Sequence, residues 1–231
     1  MNHTGKAIFI QRGEYRMSSK IHRVLCFFLS ITIVFIGSTV VAQSADDLIL
    51  STLRYGIDEK VNETLNKLIS DKNYKYDEEI YKILLETKNQ KIKETIIKYF
   101  ASKDPPDERI ILIAEQILSN RDSETKEVVL AVFTYFTKLK KFNKPELLET
   151  ILSNSEKDYI VPALKLIGSA KLQNFAKTLL NLYEKDETTQ EVKQEILLAL
   201  GELQVAEALD LYKKIINRGE DSGKVERMYV C

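Results

Sequence analysis

From Val192 to Ile216 the chain alternates apolar and polar residues with the period of a helix, twice over. In the first half, Val192, Ile196, Leu197, Ala199 and Leu200 are spaced to share one face of an α-helix. Thr188 with Glu191 three residues on predicts a capping box at its start. Gly201 predicts its stop, because glycine enters the left-handed region without a Cβ clash. In the second half, Val205, Ala208, Leu209, Tyr212 and Ile216 repeat the spacing. The pattern predicts a helical hairpin that turns at Gly201-Glu202-Leu203. Each helix has one dry face, and a hairpin this short leaves apolar surface in water unless neighbours cover it.

Those neighbours are written upstream. Thirty-three residues before Val192 lies Tyr159, opening Y-I-V-P-A-L-K-L-I-G, and thirty-four before that lies Thr125, opening T-K-E-V-V-L-A-V-F-T. Another thirty-three back, Ile92 opens I-K-E-T-I-I-K-Y-F-A, and thirty-three forward of Val192, Val225 opens V-E-R-M-Y-V-C. Four places after each marker stand Ile96, Val129, Ala163 and Ile196; five places after, Ile97, Leu130, Leu164 and Leu197; eight places after, Phe100, Phe133, Ile167 and Leu200. The intervening helices recur too. Ile117-Leu118-Ser119-Asn120 returns as Ile151-Leu152-Ser153-Asn154, and Lys60-Val61-Asn62-Glu63-Thr64 matches Lys91-Ile92-Lys93-Glu94-Thr95. Two amphipathic helices per fixed period are the mark of an α-solenoid.

The predicted pairs are 46–54 with 59–70, 79–87 with 92–101, 110–118 with 125–139, a pair opened by Pro145 and continued past Pro162, and 175–183 with 192–200. Residues 208–216 open a sixth, whose partner begins near Lys224. Asp104-Pro105-Pro106-Asp107 marks a break, since proline keeps the preceding residue out of the helical region. The text stops inside a predicted helix at Cys231, so the array is expected to continue in a longer product.

Val192-Lys193 and Ile92-Lys93, with Ala199-Leu200-Gly201 and Leu166-Ile167-Gly168, resemble the short HEAT-like repeat with its pattern V-R-x-x-A-x-x-A-L-G. The resemblance covers residues 46–231 and is specific over 159–216. It implies an all-α fold, a right-handed solenoid of five to six antiparallel helix pairs, whose second helices line a concave, partner-binding face. The period also fits a tetratricopeptide-like array, but W-x-x-L-G-x-x-Y is missing and the chain has no tryptophan.

The first 42 residues read differently. Lys20 and Arg23 precede a run from Val24 to Ile36 that is almost wholly apolar, followed by Val40-x-Ala42. This is the layout of a signal peptide beginning at Met17 and cut after Ala42, with residues 1–16 an upstream extension. The alternative is an uncleaved anchor, for which the polar Ser30, Thr32, Ser38 and Thr39 make a poor span. Cys26 stands at the start of the apolar run rather than after it, which argues against a lipoprotein. The expected location is the periplasm or cell envelope.

Charge and chemistry then narrow the function. Five of the 34 Lys and Arg and one of the 34 Asp and Glu precede the cut, which leaves 29 basic against 33 acidic residues, a net of −4. Such a chain is not drawn to nucleic acid. Both histidines, His3 and His22, lie in the leader, and only Cys231 remains as a thiol. No Gly-rich phosphate loop and no G-x-S-x-G are present. No catalytic, cofactor-binding or metal-binding residue is therefore assigned. Glu78-Glu79, Glu94 and Glu127 are read as solvated helix faces. The tyrosines Tyr81, Tyr99, Tyr135, Tyr159, Tyr183 and Tyr212 are read as packing at the rim of the core. The one candidate binding column is basic: Lys93, Lys126 and Lys193 one place after the marker, with Lys98 and Lys165 five places further on. It could face an acidic partner, or it could belong to a mixed-charge solvated face with Glu94, Glu127 and Glu195. The expected function is a non-enzymatic scaffold for a protein or peptide. A membrane-anchored structural protein and an accessory subunit of an enzyme are the alternatives.

Overall fold

The computed structural model describes residues 44–154 and 156–217. The leader with Met17 and the cut after Ala42, both histidines, both cysteines, and the last helix near Lys224 lie outside the described residues. Eleven α-helices and no strand are found among those described: α1 (Ala45–Tyr55), α2 (Asp58–Ser70), α3 (Asp77–Glu86), α4 (Gln90–Ala101), α5 (Ile111–Ser119), α6 (Lys126–Leu139), α7 (Pro145–Ser153), α8 (Ile160–Ser169), α9 (Ala176–Glu184), α10 (Gln190–Leu203) and α11 (Leu209–Asn217). The fold class is all-α.

The packing follows chain order. Helices α2, α4, α6, α8 and α10 pack each against the next. Helices α3, α5, α7 and α9 each pack against their immediate successor in the chain. The core is therefore drawn largely from the even-numbered helices. Of the three apolar columns, every member is 0–2 % exposed except Leu130, which is only partly buried. Leu130 marks a local shift in register. Tyr99 meets Phe100 edge-on with ring centres 5.3 Å apart, and Tyr135 meets Phe136 in the same way at 5.2 Å. These pairs are thirty-six residues apart, so Val132, Phe133 and Phe136 occupy the places that Ile96, Ile97 and Phe100 occupy one pair earlier. Helix α6 is longer than α4 and runs further before it caps, and the spacing stretches to match.

The helix ends differ from the sequence expectation in an informative way. Helix α10 does not stop at Gly201; it runs to Leu203 and is capped by Gln204 with φ 56°. Its start is capped by Thr189, whose hydroxyl accepts from the Val192 N–H at 3.4 Å, while Thr188 donates to the Leu182 carbonyl. Left-handed residues succeed four of the even-numbered helices: Lys72 (φ 50°), Lys140 (56°), Lys171 (53°) and Gln204. After α2, α8 and α10 a backbone N–H reaches back to close the last turn: Asn73 to Leu68, Leu172 to Ile167 and Val205 to Leu200. The glycine that matters for packing is Gly168. A Cβ there would lie 3.1 Å from the Ala199 Cα, so its absence lets α8 approach α10 closely.

The first helices keep their own repeat. Both α5 and α7 end on Ile-Leu-Ser, with Asn120 and Asn154 as caps whose N–H groups each donate back at 3.0 Å. Ile110, Phe175 and Ala208 close short 3-10 turns that lead into α5, α9 and α11, and each is buried to within 1 %. An apolar residue anchors the entry to each of these helices. No helix among the described residues is long and apolar enough to cross a membrane.

Candidate binding surface

The even-numbered helices present two ends, and the basic residues at the two ends behave differently. At the N-terminal ends, side chains bridge each helix to the start of the next. Asn89 donates to Asp58 at 2.7 Å, and Thr95 to Asn62 at 2.6 Å. Lys93 donates to both oxygens of Glu124 at 2.7 and 2.8 Å, with both side chains largely shielded. Lys126 pairs with Asp158 at 2.6 Å. Arg121 grips Glu156 with two nitrogens, its Nε at 2.8 Å from Oε2, and this contact holds the Glu156 carboxyl below its ordinary range. Glu124 and Asp158 precede α6 and α8, so each carboxylate also faces the positive end of a helix dipole.

The lysine column of the sequence is thus distributed among partners. Lys93 and Lys126 reach the next repeat. Lys98 pairs with Glu94 one turn back on its own helix. Lys165 stands 3.9 Å from Glu195 on α10. Burial pushes the Glu195 carboxyl up, and Lys165 partly offsets this. Lys193 lies over the Tyr183 ring, 5.6 Å from its centre. Periodicity places these lysines correctly along the helices. It carries no information about the acids 30 to 32 residues on that take up Lys93, Lys126 and Lys165.

Two readings of side-chain position change. Glu94 is 8 % exposed rather than solvated, because the packing of α2, α4 and α6 encloses it beside Lys98. Tyr81, Tyr159 and Tyr212 do sit at the rim, but Tyr99 and Tyr135 are fully enclosed and Tyr183 nearly so. The Tyr99 hydroxyl donates to Asp77 at 2.8 Å, and the Tyr135 hydroxyl to the Asp107 carbonyl at 2.6 Å. Burial, then Asp77, pushes the Tyr99 phenol well above its ordinary range; burial does the same to Tyr135. Between α1 and α3, the Tyr76 hydroxyl donates to Asp46 at 2.5 Å, which pushes that phenol up to about 12.

The C-terminal ends of the even-numbered helices border one hollow of about 620 Å³. Lys72 comes just after α2, Ser102 and Lys103 just after α4, Lys138 and Lys140 end α6, Ser169 ends α8, and Glu202 lies in the last turn of α10. Lys103 also belongs to a charge network that extends beyond the lining of the hollow. Asp107 accepts from Lys103 at 2.8 Å and from Arg109 at 2.7 Å, and Arg109 also reaches Asp77 at 2.8 Å and Glu78 at 2.5 Å. Lys103 pairs with Asp77 as well. The Arg109 contact, reinforced by Lys103, holds the Asp107 carboxyl far below its ordinary range. The other three lysines of the hollow, Lys72, Lys138 and Lys140, are exposed and make no ion pair among the described residues. The D-P-P-D-E-R run at 104–109 carries this network in the sequence, but only its prolines are informative there.

Reactive chemistry has little material in the described region. No group of His, Cys, Asp and Glu able to hold a metal is found among the described residues. Glu115 is a buried carboxylate with one oxygen lacking a hydrogen bond and the other 3.7 Å from Lys144. Comparison of the chain with protein-family models, with curated proteins and with solved structures finds no match.

Proposed function

We propose that this chain is a HEAT-like helical-repeat scaffold that holds a protein or peptide partner, exported by way of its N-terminal leader. In this reading the even-numbered helices form a right-handed solenoid and their row carries the binding face. The observation that carries it is the packing order: α2, α4, α6, α8 and α10 meet chiefly through successive neighbours, with their C-terminal ends brought round a common hollow. A row of this kind offers one continuous surface to an elongated ligand, which a closed bundle does not. After the leader the net charge is −4, which does not favour nucleic acid as the partner.

The leader and the scaffold are tested separately. Mass spectrometry of the N-terminus isolated from cells should find Gln43 first; an intact Met17 would argue for an anchored protein. For the scaffold, photo-crosslinkers placed at Lys138, in the last turn of α6, and at Lys157, just before α8, are compared in living cells. The reading expects a defined adduct from at least one of the two probes. Loss of any adduct at both positions would count against a partner-binding role.

A further inference from the structure

We propose that the hollow at the C-terminal ends of α2, α4, α6, α8 and α10 is the docking site, and that its ligand is an extended acidic peptide segment. The proposal rests on the scaffold reading and adds the place and the chemistry. Two observations carry it. The first is the contrast in pairing: Lys72, Lys138 and Lys140 keep free ammonium groups, whereas Lys93, Lys126 and Lys165 are committed to neighbouring repeats. The second is the supply of acceptors. The carbonyls of Thr137 and Lys138, in the last turn of α6, take no backbone hydrogen bond, since the only N–H that returns there, from Lys140, goes to Phe136.

The two kinds of group ask for different things. Free ammonium groups take carboxylates, and free carbonyls take N–H donors. An extended acidic peptide offers both at short intervals along one chain. A DNA backbone offers acceptors only, so it could use the lysines and would leave the carbonyls facing its phosphates. Asp104 and Glu202 also border the hollow, so the charge there is mixed. Those two carboxylates are further acceptors for peptide N–H groups.

Lysines near helix C-termini also favour the helix dipole, and that is the rival account of Lys72 and Lys140. The experiment separates the two. Fluorescence anisotropy with the full chain would use three labelled probes of equal length: a peptide alternating glutamate and serine, one alternating lysine and serine, and a thymidine oligonucleotide. The glutamate peptide should bind, and the variant carrying K72Q, K138Q and K140Q should bind it at least about tenfold more weakly while melting as the parent does. The K126Q variant should bind like the parent. Equal binding by the triple variant, or tighter binding of the oligonucleotide, overturns the proposal. If only the lysine peptide binds, the acidic specificity is wrong while the scaffold reading stands. If no peptide binds, the hollow is not the docking site, and the in-cell crosslinks remain the independent measure of the scaffold. If the triple variant instead unfolds, the lysines act as caps and the proposal falls.

Discussion

The N-terminal and C-terminal ends of the same five helices use one residue type in two ways. At the N-terminal ends lysine reaches forward to an acid of the next repeat, as Lys93 does to Glu124 and Lys126 to Asp158. At the C-terminal ends Lys72, Lys138 and Lys140 have no such acid, and the hollow between the ends lies open. The difference comes from the residues on either side of a helix. Before α6 and α8, Glu124 and Asp158 complement the helix dipole and take a lysine of the preceding even-numbered helix. Left-handed residues follow α2, α6, α8 and α10. The C-terminal side is mixed: Lys103 and Lys141 are tied to Asp77, Asp107 and Glu108, while Lys72, Lys138 and Lys140 make no ion pair among the described residues.

The comparison is broken most severely if the bridges at the N-terminal ends contribute nothing to stability. A double-mutant cycle of Lys93→Ala and Glu124→Ala should give a coupling of about 2 kcal/mol in chemical denaturation, because the pair is charge-assisted and shielded. A coupling near zero would mean that the bridge is incidental. Next in size is the charge network that holds Lys103 beside the hollow. Asp107→Asn should cost about 1.5 kcal/mol through its contacts with Arg109 and Lys103. Since the folded carboxyl titrates below the ordinary value, the stability it confers is complete above about pH 4 and is lost as the pH falls further. A parent protein whose acid unfolding midpoint is unchanged in the Asn variant would contradict this.

Tyr135→Phe removes a single enclosed donor and leaves the Asp107 carbonyl short of a partner, for an expected loss of about 1 kcal/mol. The buried phenols add an alkaline counterpart. Tyr99 and Tyr135 ionise in the folded state well above pH 10, so their share of stability is present below about pH 10 and declines as the pH rises beyond it. Ultraviolet titration should find phenols that ionise only on unfolding. The smallest effects belong to the exposed lysines. Lys126→Ala and Lys138→Ala should leave the melting temperature unchanged within error, since exposed pairs and free ammonium groups add little. They sharpen the comparison because only Lys138→Ala is expected to weaken binding of the acidic peptide.

Much of this architecture is legible residue by residue. Ile96, Ala163 and Ile196 stand in one apolar column and are all fully buried, because an apolar stripe of helical period has nowhere else to go. Pro145 opens α7 at its first turn, and the Ile-Leu-Ser-Asn ends of α5 and α7 cap alike. Gly201 misleads because a glycine is permitted to end a helix but is not compelled to. Gln204 takes the left-handed turn once Leu200, Leu203 and Val205 are buried around it. The period sets Leu130 and Phe133 three residues off because an aromatic-rich helix offers two apolar frames, and only the packing against α4 and α8 chooses between them. The hollow has no signal in the text. Its lining comes from five places between residues 72 and 202 that no period links to a ligand.

By itself the sequence determined that this chain would be helical, that the helices would come in pairs, and which flank of each would be dry, because those properties depend on residues within a turn or two of one another. Tertiary structure alone decided which lysines would be neutralised, where each helix would end and that five helix ends would enclose one space. Those outcomes turn on side chains some thirty residues apart, and the distance between them is set by how closely one repeat, as at Gly168 and Ala199, settles against the next.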